Sequence, residues 1–97
     1  MMMKLEMKMD LETARKKIDE IDHELLRLIA KRLNLSIRIR EFKKNMKMKI
    51  RHSGREEFVI KDRTEFFKKE GFYDEEFVRR LFSLIMEKSR LVQSEKK

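Results

Sequence analysis

The sequence predicts an all-α domain of three helices, long, short and medium. Three observations carry that expectation. From Leu11 to Met46 one stripe of residues recurs with spacings that alternate three and four throughout, the repeat of a single buried helix face. No segment alternates polar and apolar residues as a half-buried strand would. Proline is absent and 45% of the 97 residues are charged, which suits unbroken, solvated helices.

Residues 1–9 are rich in Met and Lys and read as a flexible leader, so the folded domain is expected over 10–97. Asp10 offers an N-cap, because its side-chain oxygen can accept from a backbone N–H left unpaired in the first turn. Nothing breaks the stripe after it. A helix of about 36 residues is about 54 Å long at 1.5 Å per residue, several times the usual globular length. The period is lost over 47–52, which reads as a connection. Ser53-Gly54-Arg55-Glu56 then has the S-x-x-E form of a capping box, so a second helix is expected from Gly54. Phe58, Val59, Phe66 and Phe67 supply its apolar contacts, and Gly71 ends it as a C-terminal glycine should. Asp74 can cap a third helix that carries Phe77, Val78, Leu81, Phe82, Ile85 and Val92.

Ten of the eleven stripe positions are apolar, and the exception is Arg32. A guanidinium cannot shed its proton to ease burial, so a buried Arg needs an anion beside it. Lys43 lies three turns further on, inside the same arc. Two cations held in a core seam point to an anionic molecule that sits there.

Composition bounds the chemistry. One small domain is expected, with a core that is marginal for a single chain. There is no Cys and there are two His, so disulfides, thiol nucleophiles and a metal cluster are not expected, and no cofactor is implied. No run approaches the roughly 20 apolar residues of a membrane span, and the N-terminus has no apolar signal core. A cytoplasmic protein without a membrane partner follows. The net charge of +8 admits a basic helical nucleic-acid binder. Much of that charge is dispersed over Lys4, Lys8, Lys96 and Lys97, although 43–51 holds Lys or Arg at five of nine positions.

Ser89 and Gln93 sit one turn apart on the side of the third helix shared by Phe82, Ile85 and Val92. Arg55 stands in the first turn of the second helix, where the helix dipole favours Asp or Glu, a mismatch that suggests a local anion. Arg15 flanks the stripe, with an exposed ion pair to Asp19 or Asp22 as its ordinary explanation. Arg15 and Arg32 are 17 residues apart, or about 25 Å along a helix, more than a small metabolite spans. Both can touch one ligand only from different copies of the chain. Arg32 and Lys43 are about 16 Å apart, a gap two long side chains can close from opposite ends of a ligand.

Taken together these residues resemble the all-helical chorismate mutase family. Arg15-Lys16-Lys17-Ile18-Asp19-Glu20-Ile21-Asp22 is similar to that family's R-x-x-I-D-x-I-D opening. Arg32 and Lys43 follow at its intervals, then Arg55-Glu56 and Ser89-x-x-x-Gln93, so the resemblance covers 11–94. It implies an intertwined homodimer of six helices with two equivalent sites for a small dicarboxylate. Carried over by position, Arg15 reaches across from the other subunit to one substrate carboxylate. Arg32 and Arg55 hold carboxylates from within the main protomer. Lys43 meets a carboxylate and the ether oxygen, and Gln93 donates to that oxygen. Glu56 accepts from the ring hydroxyl, and Ser89 supports the carboxylate end. One departure stands at His52, where the family commonly carries Asp. That position is expected to act through its backbone N–H and as a helix start, so activity should survive the change.

The reaction so implied converts chorismate to prephenate in tyrosine and phenylalanine biosynthesis. It is a unimolecular rearrangement that needs neither nucleophile nor metal. Clamping the flexible dianion as a compact chair and meeting charge on the ether oxygen are what a protein can add. An isochorismate-pyruvate lyase on the same scaffold is the nearest alternative, and Glu56 favours the mutase. A nucleic-acid binder has no use for Arg32 in the seam or for Ser89 and Gln93, and a plain coiled coil leaves all three idle.

Overall fold

The structure, a computed structural model, describes residues 9–45 and 53–95. Among them are three helices and no strand: α1 (Leu11–Asn45), α2 (Ser53–Lys69) and α3 (Glu75–Glu95). Met46, the connection expected over 47–52 and most of the leader lie outside the described residues.

Three of these helix ends have a local chemical cause. Asp10 Oδ1 accepts the Thr13 N–H at 2.8 Å and the Asp10 carbonyl accepts the Ala14 N–H at 3.0 Å, so α1 is capped as expected. The Thr13 N–H holds the Asp10 carboxyl below its ordinary range. Asp74 does the same for α3, with Oδ1 accepting the Phe77 N–H at 3.0 Å. The second helix begins at Ser53, one residue earlier than expected, a difference within the ordinary variation of helix ends. The capping box proposed there rests on the Ser53 side chain, which is outside the described ones.

The end of α2 is a Schellman motif. The Phe72 N–H donates to the Phe67 carbonyl at 3.1 Å and the Gly71 N–H to the Lys68 carbonyl at 2.9 Å. Gly71 takes φ +103°, which side chains with a Cβ rarely adopt. The rings of Phe67 and Phe72 stack at 5.2 Å, the apolar contact that accompanies this cap.

The chain divides into two compact units, Met1–Lys31 and Arg32–Lys97. In the second, α2 packs on α3 around Val59, Ile60 and Met86, with Phe82 against them. Val78, Phe82, Met86, Ser89 and Gln93 follow one another at three- and four-residue steps along α3, so its inward face is apolar at the start and polar at the end. That change of polarity along one face is what places the site. In the first unit Leu11, Ile18, Ile21, Leu25 and Leu28 of the stripe are each more than half exposed.

Leu35, Ile39 and Phe42 are exposed too, so the stripe is not buried within one chain as its pattern predicts. Within the second unit the two shorter helices pack on each other. Phe58 and Phe66, expected as contacts of α2, are likewise exposed, while Ile60 and Thr64 are buried in their place. The Thr64 hydroxyl satisfies itself by donating to the Ile60 carbonyl at 2.7 Å.

Candidate active site

The polar end of α3 meets the last four turns of α1. Arg32 Nη1 donates to Ser89 Oγ at 3.0 Å. One turn along α1, Ser36 is buried; its hydroxyl donates back to the Arg32 carbonyl at 3.1 Å, and its own carbonyl accepts from Gln93 Nε2 at 2.9 Å. Two helices are thereby fixed at two points, each by a residue with a second task available. Gln93 is 5% exposed, and its Oε1 is buried without a hydrogen-bond partner. An orphaned buried acceptor costs on the order of 1–3 kcal/mol, a cost usually kept for a functional reason.

These side chains line a cleft of about 330 Å³, within the range of small-molecule sites. Leu35, Ile39, Val59 and Met86 give it apolar walls. Among the described residues its charged lining is lopsided: Arg32, Lys43, Arg55, Arg63 and Arg90 stand with one carboxylate, Glu56. Burial, then repulsion from Arg63 and Arg55, push Arg32 below the ordinary guanidinium range. The guanidinium stays charged regardless.

A second groove between α2 and α3 is lined by Lys61, Lys68 and Arg79 but also by Glu57, Glu65 and Glu75. There Arg79 donates to Glu57 at 3.2 Å and to Glu75 at 3.5 Å and is raised, its hydrogen bond to Glu57 being the largest cause. Balanced charges need no ligand. In the first cleft the described lining residues carry more cations than carboxylates.

Of the residues singled out in the sequence, the structure brings Arg32, Lys43, Arg55, Glu56, Ser89 and Gln93 to one cleft. Arg15 belongs to the other unit, where it is exposed. His52 lies outside the described residues. Residues 14–94 match the protein family described as Chorismate mutase type II. The chain belongs to that family.

Two relatives place this type II chorismate mutase domain among known proteins. The chain is 35% identical over 81 residues to the chorismate mutase of Methanocaldococcus jannaschii, covering 84% of this chain and 81% of that one. It is 36% identical over 86 residues to the bifunctional chorismate mutase/prephenate dehydratase of Buchnera aphidicola, covering 89% of this chain and 22% of that protein. No solved structure gave a significant match.

Three cleft residues of this chorismate mutase domain escape a reading of the sequence. Ser36 acts through its backbone carbonyl, which no side-chain pattern announces. Arg63 packs its guanidinium 5.8 Å from the Phe82 ring centroid and bonds Asp62 at 2.7 Å. Its signal is present: Arg55, Val59 and Arg63 form an i, i+4, i+8 row on α2. Arg90 forms an ion pair with Glu56 across α2 and α3. In the sequence it is one basic residue among many. Among the described residues no group of three His, Cys, Asp or Glu gathers as a metal site, and no helix is long and apolar enough to cross a membrane.

Proposed function

We propose that this cleft, completed by a second copy of the chain, rearranges chorismate to prephenate. The observation that carries the reading is Arg32: a cation held by Ser89 in a cleft with five cations and one carboxylate. Chorismate is a dianion, and bringing it in relieves the repulsion among Arg32, Arg55 and Arg63. Binding energy of that origin goes into holding the flexible substrate in its reactive chair.

Arg32 and Arg55 take the carboxylates, with Ser89 fixing the direction in which Arg32 points. Lys43 meets a carboxylate and the ether oxygen, where negative charge grows as the C–O bond breaks. The Gln93 amide has two N–H bonds. One goes to the Ser36 carbonyl, and the other serves the ether oxygen. Each such donor, already in place before the bond breaks, contributes about 3–4 kcal/mol to the transition state. Glu56 accepts from the ring hydroxyl. No proton transfer is needed.

Dimerisation has its own support. The exposed stripe of α1 and the outward side chains Phe77, Leu81, Leu84 and Leu91 of α3 are apolar surface of the kind a partner covers. Arg15 then enters the cleft of the other copy and holds a substrate carboxylate.

The test is to follow chorismate loss by absorbance with purified protein and to identify the product. Prephenate is expected. Inertness toward chorismate, or free pyruvate from isochorismate as the better reaction, overturns the reading.

A further inference from the structure

We propose that Arg90 is a positioning residue, which holds the Glu56 carboxylate toward the ring hydroxyl of the substrate through the ion pair that joins α3 to α2. The inference rests on the reading of the site given above and adds a residue to it.

The pair differs from most other ion pairs among the described residues. Arg27 with Glu24 and Lys68 with Glu65 are i, i+3 partners on one helix, all more than 40% exposed. Such pairs contribute little. Arg90 and Glu56 come from different helices, and their side chains are 27% and 17% exposed. A half-buried pair with its two ends fixed by separate helices sets a direction for each side chain.

Glu56 needs that direction. It is the one carboxylate among the described residues lining the cleft, and Arg32, Lys43, Arg55 and Arg63 all line the same space. A carboxylate with freedom to turn would neutralise a cation needed for the substrate. Arg90 adjoins Ser89 in sequence and lies three residues before Gln93, on the same stretch of α3. Engaging Arg90 does not exhaust Glu56, since a carboxylate has about four acceptor positions.

The experiment measures kcat/KM for chorismate and for an analogue that lacks the ring hydroxyl, in wild type, Arg90→Met, Glu56→Gln and the double variant. The ratio of the two values within one preparation is independent of the fraction folded. We expect Arg90→Met to lose roughly 10- to 100-fold on chorismate, the range for a hydrogen bond to a charged group, and little on the analogue. Glu56→Gln should show the same selectivity loss, and the double variant should be no worse than Glu56→Gln alone. Arg90→Lys, which keeps the charge, should recover part of the selectivity. Equal losses on both substrates in Arg90→Met, or wild-type selectivity where Glu56→Gln has lost it, overturn the inference alone. A wild-type protein inert toward chorismate overturns the functional reading as well.

Discussion

Gln93 Nε2 stands 2.9 Å from the Ser36 carbonyl oxygen, and that one contact decides which end of the amide faces which way. Turning the amide over would set Oε1 against another oxygen, so the donor end is fixed on the α1 side.

Replacing Gln93 by Glu tests this directly. A neutral carboxylic acid can place its O–H where the amide placed an N–H. An ionised one sets lone pairs against the Ser36 carbonyl and against the charge that grows on the ether oxygen. The acid form is present below the titration of the new carboxyl and lost above it, so Gln93→Glu should gain activity as pH falls. At neutral pH its kcat should be down several-hundred-fold, about the effect of losing one donor. A pH profile of kcat/KM from about pH 5 to pH 8 reads the limb. A flat profile contradicts the contact.

Lys43 lies in the last turn of α1 and lines the cleft. Two effects compete when it becomes Ala. Losing a cation at a helix C-terminus costs about 0.3–1 kcal/mol of stability. Losing a donor to the ether oxygen costs about 3–4 kcal/mol of barrier. The second dominates, so Lys43→Ala should lose several-hundred-fold in kcat with helix content by circular dichroism almost unchanged. Near-wild-type turnover in the folded variant removes Lys43 from the mechanism.

How much of this was legible beforehand follows from what each residue depends on. The caps at Asp10 and Asp74 and the glycine at Gly71 act within a few residues of themselves, and the sequence shows them plainly. Arg32 was legible because an ion in an apolar stripe is an anomaly at any distance. Arg90 was not, because its meaning depends on Glu56, 34 residues earlier on another helix. The stripe itself misleads in the opposite direction. Its period is that of a buried face, but periodicity does not say what covers a face, and within this chain Leu25 is 52% exposed.

Gly71 gives a prediction about stability alone. A Cβ added there meets nothing within 4 Å, so the cost of Gly71→Ala is the backbone conformation at φ +103°. That is about 1–2 kcal/mol for a residue with a Cβ, while Asn tolerates positive φ better. Denaturant midpoints should fall in the order Gly71, Asn, Ala, with kcat of the folded protein unchanged. An Ala variant as stable as wild type rules out the strained cap.

Sharing of the site between copies is tested by mixing two inactive variants. Arg15→Ala should be inactive because each cleft lacks the arginine from its partner. Arg32→Ala should be inactive because each cleft lacks its own. The second also loses the bond from Arg32 to Ser89, so its folding is checked by circular dichroism before mixing. When subunits are exchanged, a mixed dimer has one cleft with both defects and one with neither. The intact cleft pairs Arg32 of the Arg15→Ala chain with the unchanged Arg15 of the other. Random pairing makes half the dimers mixed, and half of their sites complete, so about a quarter of wild-type activity should return. Two arginines serving one cleft from a single chain give a different result: both defects stay within their own chains, and the mixture is as inactive as its parts. Measuring kcat before and after exchange, with the mixed dimer verified by mass, separates the two arrangements.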